Sequence, residues 1–165
     1  MSEPYNDLVS NPSHYKHPSG VECKEIIYDL SGWIANSVKY VWRYPHKGKP
    51  VEDLRKSQEC LRAATVVRLF DISSVFDYSV IVEKAKLVVA HESEGSLLRE
   101  LLEIILTGDT PPDMSDISRM IDLIEDEIER YSEYDKAMRE LYEKEMREAE
   151  ICDANMREEC EEYRR

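Results

Sequence analysis

From Ser115 to Arg165 the chain contains neither glycine nor proline. Neither of the two strongest helix breakers interrupts it, so it is expected to form one long helix. Within it Ile117, Ile121, Ile124, Ile128 and Tyr131 are separated by four, three, four and three residues. That spacing is a heptad seam. The seam decays through Asp135, Met138, Tyr142 and Glu145, so the first half is expected to pack and the remainder to be a solvated tail. An apolar seam on so charged a helix needs a partner. Both its own core and a second copy of the chain satisfy that need, and a homo-oligomer held by Ile117–Tyr131 is the expectation.

The rest of the sequence points the same way. Five glycines and seven prolines in 165 residues are too few for a turn-rich β-sandwich. Cys23, Ile26, Ile27 and Leu30 form one helical stripe, predicting a first helix over 21–30 that ends at Ser31-Gly32. A second is predicted over 33–43, with Ile34, Val38 and Val41 buried. After the Tyr44–Pro50 loop, a third starts with Glu52 and Asp53 in its first turn, where the helix dipole favours acids, and runs to about Phe70. Residues 75–95 read as helical, although the β-branched residues at 80–82 and 88–89 also permit a strand. Residues 96–106 are a short helix. The fold class is all-α: a compact helical core over 1–110 and a long, charged C-terminal helix over 111–165.

Charge narrows the function. The net charge is −13. A surface this acidic repels polymeric nucleic acid and anionic membranes. No apolar run approaches a membrane span, and the N-terminus carries no signal-peptide pattern. The four cysteines show no metal-ligand or redox spacing, so a reduced, cytoplasmic protein is expected. The charge is also uneven. Residues 11–56 hold eight Lys/Arg against five Asp/Glu, net +3, while residues 57–165 hold fourteen against twenty-eight, net −14. A local cationic patch on an anionic body suits a small anion. It equally suits an internal interface with the acidic half.

The sharpest polar feature is the second helix. Asn36, Lys39, Tyr40 and Arg43 share one face. Like charges one turn apart destabilise a helix by about 0.2–0.5 kcal/mol, which a bound anion would offset. Arg43 offers a fork for phosphate, and Tyr40 and Asn36 offer stacking and amide hydrogen bonds for a base or sugar. Lys47 and Lys49 follow on the loop. Both Lys39 and Arg43 lie off the Ile34–Val38–Val41 stripe, so removing either is expected to spare the fold. Glu22, Glu25 and Asp29 lie together on the first helix, and Asp53 opens the third. Carboxylates on facing helices can hold Mg²⁺ beside substrate phosphates. They also suit a plain solvated face. His14, Tyr15 and His17 sit in the opening loop, where a histidine can bind phosphate or move a proton. No P-loop, dinucleotide fingerprint, HExxH or GxSxG is present.

Two stretches, NPSHYKHPSGVECKEII and NSVKYVWRYPHKGKPVEDLRKS, resemble a small phage-encoded family long catalogued as a domain of unknown function. Its pattern is a PxHY opening, an acidic-hydrophobic first helix, GN-x-x-KY-x-x-R, a K-K-G loop and E-DL-x-K. The similarity covers 11–61. It matches Pro12, His14 and Tyr15, then Glu22 and Glu25, then Asn36, Lys39, Tyr40 and Arg43, then Lys47, Gly48, Asp53, Leu54 and Lys56. Ala35 replaces the family's glycine, and Tyr44-Pro45-His46 replaces small residues after the arginine. The family includes a nucleotide kinase that lacks a P-loop. The resemblance therefore implies phosphoryl transfer from a nucleoside triphosphate to a (deoxy)nucleoside monophosphate. His14, Lys39 and Arg43 would act catalytically, and Tyr15, Asn36, Tyr40, Lys47, Lys49 and Lys56 would bind substrate. Glu22, Glu25 and Asp53 would hold Mg²⁺, and the host cytoplasm would be the setting. Two alternatives stand beside it. One is a non-catalytic protein that sequesters nucleotides. The other is an all-α nucleotide pyrophosphohydrolase, suggested by Glu22-x-x-Glu25.

Overall fold

The computed structural model describes residues 12–28, 30, 32–67, 78–106 and 112–162. Among them the protein is all-α, with no strand. A 3-10 turn at Ser13–Tyr15 precedes six helices: α1 Cys23–Ile27, α2 Gly32–Arg43, α3 Pro50–Val67, α4 Tyr78–His91, α5 Leu97–Leu106 and α6 Met114–Glu162. No helix among these residues is long and apolar enough to cross a membrane. Asp29 and the expected end of the third helix at Phe70 lie outside the described residues.

Local chemistry explains the boundaries. Pro50 opens α3, where its missing N–H costs nothing. Gly48 takes a φ of 75° in the loop before it, a conformation other residues rarely adopt. The helix α1 is shorter than its apolar stripe implies, yet Cys23, Ile26 and Leu30 are all buried. The β-branched run of α4 is helical because Ile81, Ala85 and Val88 recur at helical spacing and are buried.

The chain forms two units, residues 1–128 and 129–165. In the first, α2 packs most extensively on α3. Ser37 and Ser57 meet between them, their hydroxyls 2.7 Å apart and fully buried. The core adds Leu54 and Leu61 from α3 and Leu101, Leu102 and Ile105 from α5. It also takes Ile117, Met120, Ile124 and Ile128 from the start of α6. Gln58 donates to the Ile121 carbonyl at 3.3 Å and to Glu125 at 2.5 Å. Tyr44 donates to Glu127 at 2.9 Å.

Of the two partners the seam could have, its Ile117–Ile128 part packs into the chain's own core. The structural division accordingly falls inside α6, at Ile128, where the sequence suggested a boundary near residue 110. A cut near Pro112 would remove core residues. Ile124→Ala is expected to cost about 2–5 kcal/mol, the range for deleting a buried aliphatic side chain. Urea denaturation measures this, and a loss below 1 kcal/mol would contradict the burial.

The second unit continues as helix through Glu162. Residues 132–148 are exposed throughout. They are supported by pairs one turn apart, Asp135–Arg139 at 2.7 Å and Lys144–Glu148 at 3.8 Å.

Candidate anion site on the second helix

The polar face of α2 is built as a ladder. The Asn36 amide donates to the Gly32 carbonyl at 2.7 Å, and its oxygen accepts the Lys39 ammonium at 3.0 Å. The Tyr40 ring is flanked by cations, with the Lys39 nitrogen 5.5 Å and the Arg43 guanidinium 4.7 Å from its centroid. Both lie within cation–π range. Among the described residues Lys39 makes no ion pair.

Arg43 has a different role from the one expected. Its Nε and Nη2 donate to the two oxygens of Asp53, both at 2.8 Å. Its Nη1 reaches the Tyr15 hydroxyl at 3.4 Å. The arginine is 9% exposed and the aspartate 3%. Asp53 holds the guanidinium even more firmly in its charged form. A bidentate pair this buried leaves neither partner available: Arg43 is not a free phosphate fork, and Asp53 is not a free metal ligand. The expectation that Arg43 can be deleted harmlessly fails for the same reason.

The other carboxylates are also engaged. Glu25 accepts the backbone N–H of Glu22 at 2.8 Å, closing the start of α1, and pairs with Lys84 at 2.9 Å. These bonds hold its carboxyl below the usual range. Glu22 pairs with Lys24 at 2.6 Å. Among the described residues no group of three or more His, Cys, Asp or Glu side chains is placed to hold a metal ion, and Glu22, Glu25 and Asp53 are not gathered into one.

Two recesses flank the Lys39–Tyr40 ridge. The first, about 180 Å³, is lined by Pro12, Tyr15, Glu22, Cys23, Lys24, Ile27 and Lys39. A dry cavity of about 150 Å³ accepts a benzene ring, so this one accommodates a single ring-sized group. The second is open, about 480 Å³, and is lined by Tyr40, Glu52, Arg55, Lys56, Glu59 and Cys60. Lys49 and Lys56 share Glu52, at 3.4 and 2.5 Å, which reduces their free charge. Lys47 is exposed and makes no ion pair among the described residues. Burial pushes the Cys23 thiol up to about 12 and also raises that of Cys60. Neither is a thiolate nucleophile near neutrality.

His14 stands beside Tyr15, with ring centroids 4.4 Å apart. Burial, Lys47 and Arg43 hold its pKa below the ordinary value. It is therefore neutral at pH 7, with cations around it. The structure thus gathers His14, Tyr15, Lys39, Tyr40 and Arg43 around one end of α2. Lys49 and Lys56 fall on the α3 side, and Glu25 is turned to Lys84. His17 belongs to neither group. Its side chain is 6% exposed and bonds Glu92 at 2.8 Å. Nothing in the sequence signals that partner, seventy-five residues away.

A family model described as a protein of unknown function, DUF3310, matches residues 9–62 of the 165. That stretch contains His14 through Lys56 and stops within α3. No curated protein and no solved structure matches the chain.

Proposed function

We propose that this chain binds nucleotides at the Lys39 ridge and transfers a phosphoryl group from a nucleoside triphosphate to a (deoxy)nucleoside monophosphate. One observation carries the reading: an ammonium in no ion pair among the described residues, where a ring-sized cavity and a larger open recess approach the same ridge. Two phosphate-bearing substrates must meet at positive charge, and phosphoryl transfer is largely positioning and neutralisation. Tyr15 offers a wall for a base. Lys39 and Lys47 neutralise phosphate. Arg43 acts as a scaffold, holding Tyr15 and the start of α3 in place. His14, neutral and surrounded by cations, donates a hydrogen bond from its ring N–H to a phosphate oxygen. The resemblance of residues 11–61 to the kinase-containing family supports the same choice.

The pairing of Asp53 with Arg43 and of Glu25 with Lys84 favours a second reading, a protein that binds nucleotides without turning them over. The pyrophosphohydrolase reading loses its motif, because Glu25 closes the start of α1 and pairs with Lys84.

Incubating the chain with ATP and each common monophosphate, with and without Mg²⁺, separates these by chromatography. Diphosphate formation is the expected result. Tight binding without diphosphate from any acceptor establishes the sequestering protein, and pyrophosphate released from a triphosphate alone establishes the hydrolase.

Binding should also depend on pH. Because His14 is neutral at pH 7 and its pKa is depressed, acidification below its folded value adds a positive charge at the phosphates. Affinity for ADP is expected to rise as the pH falls through the depressed pKa of His14. His14→Gln should flatten that rise beyond the protonation of ADP itself, measured by calorimetry at each pH. An identical profile in the variant would remove His14 from the site.

A further inference from the structure

The segment 12–22 forms one rim of the small cavity, and the way it is held down is unusual. His17 is its buried anchor. The His17 Nδ1 accepts the Ser19 backbone N–H at 3.1 Å and the Ser19 hydroxyl at 2.8 Å. That pattern puts the ring proton on Nε2, which donates to Glu92 at 2.8 Å. Glu92 in turn accepts the Ser96 hydroxyl on its other oxygen, and its backbone carbonyl accepts Arg99 at 3.4 Å. The His17 ring also packs edge-on against Trp42, 5.4 Å away, and near His91, 6.4 Å away. Local bonds shape the loop around it: Gly20 N–H to the His17 carbonyl at 2.9 Å, and Val21 N–H to the Ser19 hydroxyl at 3.3 Å.

Against this stands one other long-range polar tie of the segment among the described residues, the 3.4 Å contact between Arg43 and the Tyr15 hydroxyl. It is at the long end of hydrogen bonding. The shorter tie is therefore the one to Glu92. Neither His17 nor Glu92 lines either recess.

We propose that His17 and Glu92 form a latch that sets the segment carrying His14 and Tyr15 against the second helix, so that two residues outside the site act as its positioning residues. The latch joins the opening loop to the α4–α5 connection. Nucleotide affinity and the surroundings of His14 would both depend on it. Its consequence for binding rests on the function proposed above, but its consequence for His14 does not.

His14 reports the latch directly, because it is faced by Lys47, Arg43, His46 and the opposing charge of Asp53. A segment that swings away takes His14 out of that field. Nuclear magnetic resonance titration of the histidines in the full chain, in wild type, Glu92→Ala and Glu92→Gln, tests this. In Glu92→Ala the His14 pKa is expected to rise toward its ordinary value. Glu92→Gln keeps a carbonyl to accept the His17 proton and should restore the wild-type titration. General loss of stability would not move His14 in the folded protein. Should Glu92→Ala not fold, Glu92→Asp withdraws the carboxylate by one methylene, keeps the charge and reads the same quantity. An unchanged His14 titration in every folded variant overturns the latch. In a second arm, calorimetry with ATP should show about tenfold weaker binding in Glu92→Ala and near-native binding in Glu92→Gln. Wild type that binds no ATP refutes the proposed function, while the titration still decides the latch.

Discussion

Replacing Arg43 by alanine is expected to destabilise residues 1–128 by about 3–5 kcal/mol, the range for stranding one member of a buried ion pair. The guanidinium spends two nitrogens on both oxygens of Asp53, at 2.8 Å each, and Asp53 is 3% exposed. Alanine leaves that carboxylate without its counter-charge and out of reach of bulk water. The pair spans the end of α2 and the start of α3, so the helix contact and the Tyr15 hydroxyl both lose a support. Asp53→Asn should cost less, because the amide keeps the volume and can still accept from Arg43. A joint replacement, Arg43→Met with Asp53→Leu, should recover most of the loss, since neither charge is left buried. Urea denaturation of the three variants measures the series. A loss under 1 kcal/mol in Arg43→Ala would mean that water reaches Asp53 and the pair is not a structural element.

The opposite balance is expected one turn earlier. Lys39→Ala should leave the urea midpoint nearly unchanged, because among the described residues the ammonium bonds only Asn36 on its own helix and lies over Tyr40. Relieving the like charge at Arg43 offsets part of what is lost. Nucleotide binding should fall by about 1.5–3 kcal/mol, the value of a hydrogen bond to a charged group. Lys39→Arg should keep part of the affinity, since charge survives although the point-like ammonium does not. Calorimetry with ATP reads both variants. Undiminished affinity in Lys39→Ala would move the phosphate site off this ridge.

The two substitutions divide what the sequence made legible from what it did not. Periodicity was enough to find the helices and the Ile34–Val38–Val41 stripe, because burial on one face of a helix is written at 3.6-residue spacing. The face bearing Lys39 and Arg43 was legible in the same way. Their different fates were not. Whether a cation on that face meets solvent or a carboxylate depends on how α3 lies against α2, and spacing within one helix carries no information about the next. The engagements of Glu25 and Asp53 were hidden for the same reason. An acid at a helix start looks alike whether it caps a backbone amide, pairs with a distant lysine or waits for a metal. The seam from Ile117 to Ile128 announced that it needed a partner but could not say whose. His17 and Glu92 were beyond reach altogether, since their pairing arises only when the opening loop meets the end of α4.

The two serines between α2 and α3 set a limit on how chains with this helix pair can diverge. With their hydroxyls 2.7 Å apart and no exposed surface, Ser37 and Ser57 act as a spacer of fixed width. A single change to valine at either place would wedge the helices apart, and at Ser57 it would also take away the partner of the Ser37 hydroxyl, whereas Ser57 itself keeps the Ser37 carbonyl, 3.1 Å away. The wedge would open two residues from Lys39 on α2 and one turn from Asp53 on α3, and would lengthen the Arg43–Asp53 bonds. Change at these positions must therefore come in pairs, small for small. An engineer who wishes to retune the spacing of the two recesses has, in these two residues, a dial that lies inside neither of them.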